Sequence, residues 1–204
     1  MAVLERHTIA KAGMHAGDEK STGEAALLSA IAAGERPAFE KLYRCYEHRL
    51  HHYLCILLRD DTLAEEVAVD VMVAVWQGAK TFRGGSQVST WLFGIARHKA
   101  LDALRRVMRH DQRSVPLETL LEHADPDDGP IAAVEQRKLA EITHRALAGL
   151  SRAHQEAIRL AYYEELTYEE IAGVIGCPVN TVKSRLFKAK QQLKRNLERL
   201  GVTP

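Results

Sequence analysis

Apolar residues recur at three- and four-residue steps along most of the chain, and that period predicts helices. Ala25 to Ile31 forms a short helix, ended by Gly34 before Pro37 opens the next. Phe39, Leu42, Tyr43, Tyr46, Leu50, Tyr53, Leu54 and Leu57 then share one stripe of a long helix over 37–58. Asp60-Asp61-Thr62 supplies turn and N-cap chemistry. With Glu65 three residues after Thr62, it completes a capping box for a helix reaching Gly78, with ridges Leu63, Val67, Val71, Val75 and Ala64, Ala68, Met72. Phe82 to Ser86 is a loop, after which Ser89 or Thr90 caps a helix that carries Trp91, Leu92, Ile95, Ala96, Leu101 and Leu104 to Arg105-Arg106.

Periodicity resumes near Ile131 and runs through Leu139, Ile142, Leu147 and Leu150, stops at a Ser151 cap, and continues over 153–164. Thr167-Tyr168-Glu169-Glu170 is a second capping box, opening a helix to Ile175. Gly176-Cys177-Pro178 makes a turn, and a last helix runs from Val179 to Leu200. The intervening stretch from Pro116 to Pro130 holds five acidic residues (Glu118, Glu122, Asp125, Asp127, Asp128), no Lys or Arg, and the breakers Pro126 and Gly129. The expected fold is all-α. Two small helical domains are joined by an acidic flexible linker, the second containing a helix-turn-helix. Residues 1–23 form a mobile extension, 24–110 the first domain, 111–130 the linker and 131–204 the second domain.

With 204 residues the chain is too short for a large multidomain enzyme, and 46% hydrophobic with 27% charged residues excludes wholesale disorder. Even the apolar run Val67 to Trp76 is interrupted by Asp70, so no membrane insertion is expected. Met1 to Thr22 lacks the apolar segment of a secretory signal, and three cysteines form no disulfide framework. Both features fit a cytoplasmic protein.

The net charge of +1 conceals strong segregation. Between Cys177 and Arg199, seven basic residues (Lys183, Arg185, Lys188, Lys190, Lys194, Arg195, Arg199) face one acid, Glu198, which suits a phosphate backbone. On that helix Val179, Val182, Leu186, Ala189 and Leu193 point inward. Asn180, Thr181, Lys183, Ser184, Phe187 and Lys188 are left where a recognition helix meets base edges. Arg83 to Arg113 is also basic, seven against two, and Phe82, Trp91 and Phe93 flank it with rings, the combination that single-stranded nucleic acid needs.

Several motifs carry a family resemblance. Ala64-Glu65-Glu66-Val67 through Trp76, Phe82-Arg83-Gly84, Thr90 to Arg97 and Ala100-Leu101-Asp102 resemble region 2 of the extracytoplasmic-function sigma factors. Leu150-Ser151, Tyr168 to Ala172 and Gly176 to Leu186 are similar to region 4 of that family. The resemblance implies a bacterial transcription initiation factor without a catalytic site, which binds core RNA polymerase, directs it to promoter DNA and helps open the duplex. It implies docking on the clamp helices of the beta-prime subunit through Glu65, Glu66, Asp70, Met72 and Trp76, and contact with the flap of the beta subunit. It assigns Phe82, Arg83, Trp91, Phe93, Arg97 and His98 to the unpaired minus-ten element. The minus-thirty-five element falls to Asn180, Thr181, Lys183, Ser184, Phe187 and Lys188, with Arg185 and Lys194 on phosphates. The acidic linker would imitate nucleic acid in the RNA-exit path, and an anti-sigma factor would control the protein. His98 and Val69 stand where the family often has Asn and Gln.

A regulator binding DNA unaided through the helix-turn-helix is the competing reading; an enzyme is excluded by the absence of a phosphate loop, metal framework or nucleophile motif. Cys45, His48, His52 and Cys55 share one side of the 37–58 helix, but at 1.5 Å per residue the cysteines lie about 15 Å apart and cannot ligate one ion. Only His48 and His52 are spaced to share a metal, so neither a metal site nor a cofactor is expected.

Overall fold

The computed structural model describes residues 14–110 and 132–202, with the side chains of 23–109 and 139–202. It is all-α, with no strand among the described residues, and divides into two compact units, one with 14–58 and 62–110 and the other with 132–202, to which 59–61 are assigned. The acidic residues of 116–130 and the first thirteen residues lie outside the described part.

The first unit holds α1 (Met14–Ala32), α2 (Arg36–Leu58), α3 (Asp61–Gly78), a 3-10 turn (Ala79–Thr81) and α4 (Val88–His110). On α2 the stripe is core: Leu42, Tyr46, Leu50, Tyr53, Leu54 and Leu57 are buried, while Tyr43 at the stripe's margin is exposed. Against them α4 sets Val88, Leu92, Phe93, Ala96, Ala100 and Ala103, where the alanines allow close approach of the two helices. Phe93 meets Tyr53 edge to face at 5.1 Å between ring centroids, and Arg49 lies over Tyr46 at 4.5 Å. Tyr46 donates its hydroxyl hydrogen to Glu24 at 2.7 Å, satisfying a buried phenol and tying α2 to α1.

Three boundaries differ from the sequence expectation. α1 is helical from Met14 rather than from Ala25, inside the segment expected to be a mobile extension. Once Leu28 and Ile31 are buried, each further upstream residue adds a hydrogen bond at no nucleation cost, and no proline intervenes. α4 begins at Val88, ahead of Ser89 and Thr90, because Val88 is itself buried; Ser89 Oγ turns to Gln87 Oε1 at 3.4 Å instead of capping the helix. The run expected as one helix over 153–164 is α6 (Arg152–Ile158) followed by a π segment (Arg159–Tyr163).

The second unit comprises α5 (Ala132–Ala148), α6, the π segment, α7 (Tyr168–Ile175) and α8 (Val179–Arg199). α8 is the spine, packing against α5, α6 and α7. Its Asn196 donates to the Ala146 carbonyl of α5 at 2.8 Å, and Gln155 of α6 donates to the Leu147 carbonyl at 2.9 Å. Where the π segment ends, Arg159 Nε donates to the fully buried Glu164 carboxylate at 3.0 Å while its guanidinium lies over Tyr163. The Thr167–Glu170 capping box forms in both directions, at 3.3 and 2.9 Å. α7 ends at Gly176, whose φ of 72° is left-handed and suits glycine.

The local chemistry of this unit is open to two tests. Thr167→Ala removes the side-chain half of the box and should lower stability by about 1 kcal/mol, read as a smaller urea midpoint at constant slope. His154, whose backbone N–H is capped by Ser151, has its imidazole pKa lowered first by burial and then by the Arg185 and Lys188 cations. A histidine that is harder to protonate when folded contributes stability that is complete above the unfolded value and fades as pH falls through about 6.5 toward the folded value. Hydrogen-exchange protection of 152–186 should therefore fall on acidification below that point, and fall less in His154→Gln.

Candidate nucleic-acid interface

α8 is set by its own periodicity. Val182, Leu186 and Ala189 are buried, Val179 and Leu193 half-buried, and the opposite side presents Asn180, Lys183, Ser184, Phe187 and Lys188 to solvent. Phe187 is 63% exposed, a large ring with no place in the core. Thr181 and Arg185 are half-buried at the flanks, and Ser184 Oγ donates back to the Thr181 carbonyl at 3.0 Å. Lys194 is exposed and 3.8 Å from Glu198 one turn on, a weak solvated pair that phosphate can displace. Three residues outside the expected set lie against this helix. Tyr168 has the Lys183 ammonium 6.0 Å from its ring centroid, Tyr162 has that of Lys190 at 5.2 Å, and His154 feels Arg185 and Lys188. None was legible in the sequence, since these contacts cross between elements.

In the first unit Phe82, from the loop after the 3-10 turn, meets Trp91 of α4 with centroids 5.3 Å apart and planes at 53°. Both rings are half-buried, so each keeps accessible surface. Arg83 is exposed beside Phe82, and His98, two turns along α4 from Trp91, is 75% exposed at its side chain. Asp102 anchors His98 at 3.3 Å and Arg105 at 2.8 Å. Arg97 is half-buried. Phe93 corrects the expectation: at 0% exposure between Tyr46 and Tyr53 it is core and offers no face to a base. Its position was readable, because Leu92, Phe93, Ala96, Ala100 and Ala103 make one helical stripe and Trp91 stands off it.

Gly78, the last residue of α3, is in right-handed helical conformation, φ −85° and ψ −10°, which any residue adopts. Its backbone therefore does not require glycine, and helical glycine costs about 0.5–1 kcal/mol relative to alanine. Space is tight instead: an added Cβ would lie 3.2 Å from Trp91 Cζ2, so the indole would have to give by a few tenths of an ångström, and 3.6 Å from Cη2. Thr81 Oγ1 donates to the Gly78 carbonyl at 2.7 Å and closes the turn.

α3 exposes Glu65, Glu66, Asp70, Val69 and Val73, the two valines at 61% and 48%. Leu63, Glu66, Val67 and Asp70 line a groove of about 210 Å³ with Ala103, Arg106 and Val107 of α4. Met72 departs from the expected polymerase face, being 4% exposed on the buried side, while Trp76 is half-buried and edge-on to Phe39 at 5.3 Å. Of the four Cys and His residues weighed as ligands on α2, His48 and His52 stack edge to face at 5.5 Å. Cys55 instead lies beside His51, 3.7 Å from its Nε2, and Cys45 is exposed. Among the described residues no helix is long and apolar enough to cross a membrane.

Residues 42–110 match the model of Sigma-70 region 2, and residues 140–193 match that of Sigma-70 region 4. The chain is similar to the ECF RNA polymerase sigma factor RpoE of Cereibacter sphaeroides, 31% identical with 80% of this chain and 88% of the relative covered. It is also similar to SigM of Mycobacterium tuberculosis, likewise 31% identical, over 89% and 88% of the two chains. Among solved structures it resembles the sigma factor RpoE of Bartonella quintana in complex with the anti-sigma factor NepR. There the TM-score is 0.63 at 27% identity, covering 78% of this chain and 96% of that one. With both sigma regions matched in order and relatives above 30% identity covered over most of their length, the chain belongs to the ECF RNA polymerase sigma factors, which act in transcription initiation.

Proposed function

We propose that this sigma factor works in the cytoplasm as the promoter-reading subunit of RNA polymerase, without catalytic chemistry of its own, the first unit serving the minus-ten element and the second the minus-thirty-five element. The observation that carries the reading is α8, a helix with one side closing a core and the other offering an exposed row of Asn180, Lys183, Ser184, Phe187 and Lys188 in a strongly basic stretch. Lysines, a hydroxyl, an amide and a ring are suited to base edges and thymine methyls in a major groove, while Arg185 and Lys194 neutralise phosphates. Phe82 and Trp91, with Arg83, Arg97 and His98 nearby in sequence, supply stacking faces and cations for unpaired bases.

Polymerase docking is assigned to Glu65, Glu66 and Asp70 around the exposed Val69 and Val73, facing the clamp helices of the beta-prime subunit, with Trp76 at the border. The second unit is assigned to the flap of the beta subunit. By likeness to the RpoE–NepR complex, an anti-sigma factor is the proposed regulator.

Run-off transcription separates this reading from a regulator that binds DNA alone: promoter-specific transcripts should require both this chain and core polymerase, and footprinting by the chain alone should be weak. Lys188→Ala should relax preference at one upstream base pair by about 1–3 kcal/mol, whereas Lys194→Ala should weaken all promoters alike and flatten the salt dependence. Equal effects of both substitutions across a promoter library would refute the division between base and phosphate contacts. Trp91→Ala should reduce duplex opening more than closed-complex formation, with thermal melting of the variant reporting whether the fold is intact.

A further inference from the structure

Gly78 is a glycine that its own backbone does not need, placed where an added Cβ would crowd the benzo edge of Trp91 at 3.2 Å. We propose that Gly78 is a positioning residue for base capture: a bare seat at the end of α3 that fixes the tilt of the Trp91 indole, so that Trp91 and Phe82 form one stacking surface for an unpaired nucleobase. This rests on the reading of Phe82 and Trp91 as the base-stacking pair.

The geometry leaves little freedom. The benzo edge of the indole, Cζ2 and Cη2, is the part next to Gly78, so it is this docked edge that an added methyl group would push away by a few tenths of an ångström. The indole also meets Phe82, with centroids 5.3 Å apart and planes at 53°, a tilted contact that a shift of the indole changes. Phe82 cannot follow freely, because it leaves the 3-10 turn with its backbone N–H bonded to the Ala79 carbonyl at 3.3 Å, and that turn is latched to Gly78 by Thr81. Seat, turn and both rings are therefore coupled within residues 78–91. The stacking part of base capture by such a pair falls quickly when ring planes and offsets change.

Gly78→Ala is read in two separate measurements, thermal melting for folding and base exposure for positioning, and the Trp91→Ala background separates the two effects. The melting temperature reports the balance between alanine's backbone preference and the crowding against Trp91, so opening is compared at a temperature where the variant is fully folded. Duplex opening by the reconstituted holoenzyme, read as permanganate reactivity of unpaired minus-ten thymines, should nevertheless fall by about tenfold, as expected when a reacting group is displaced by a fraction of an ångström. Closed-complex formation and polymerase binding should be unchanged. Adding Trp91→Phe to Gly78→Ala removes the crowded benzo edge and should restore part of the opening. In a Trp91→Ala background, Gly78→Ala should cost nothing further.

If Trp91→Ala impairs opening while Gly78→Ala does not, the seat is refuted and the base-stacking reading stands. An equal loss from Gly78→Ala with Trp91 absent also refutes the seat, since the effect would not pass through the indole. Normal opening by Trp91→Ala overturns the base-stacking reading itself, and the seat with it.

Discussion

α8 has to satisfy two demands with one 3.6-residue period. The core of the second unit takes Val182, Leu186 and Ala189 from this helix, and a nucleic-acid surface cannot be built without cations, which cannot be buried unpaired. A helix solves both because successive residues diverge by about 100°, so the core stripe and the charged row interleave in sequence yet face apart in space. The capping box at Thr167, the left-handed Gly176 and the Asn196 bond to α5 serve that geometry, since each fixes where α8 starts, how it enters and how it is rolled. A roll of one residue would bury Lys183 and expose Val182.

α4 meets the same demand in the first unit by a different composition. Its core stripe is narrow, with Ala96, Ala100 and Ala103 letting it press on α2, so most of its circumference stays outside. Arg105 and Arg106 at its far end are exposed, and Trp91 stands at the margin between core and solvent. That marginal position is what a stacking ring requires, because a fully buried indole has no free face and a fully exposed one has no fixed orientation. Phe93, two residues on, shows the contrast: equally aromatic, locked between tyrosines, and serving only stability.

Most of this architecture is legible in the residue pattern. The α2 stripe, the Thr167 box, the Gly176 turn and the inward set of α8 are local patterns in which spacing alone dictates the face. Three classes of feature escape it for physical reasons. α1 propagates upstream to Met14 from a segment anchored by buried Leu28 and Ile31, and α4 starts at Val88 because that residue is buried. The π segment at Arg159–Tyr163 coincides with the buried Arg159–Glu164 pair, which no periodicity reveals. Tyr162, Tyr168 and His154 acquire meaning only because other elements bring Lys190, Lys183 and Arg185 to them. Phe93 and Met72 are a different case, since both lie on apolar stripes that the sequence already displays and burial follows from the spacing.

Charge placement bears on why such a factor should need its polymerase. The chain as a whole is nearly neutral, at +1, so its long-range attraction for DNA is weak, and the basic residues of α8 would act on the proposed phosphate contacts only at close quarters. Joining two modest sites through a common scaffold raises the effective concentration of the second site once the first is engaged, so affinity for a promoter emerges from the assembly rather than from either helix. Strong binding by α8 alone would work against this, because the factor would then occupy DNA that no polymerase had reached. On this view the salt-labile, exposed lysines of α8 suit a subunit that must discriminate between sequences while the free protein stays loosely bound.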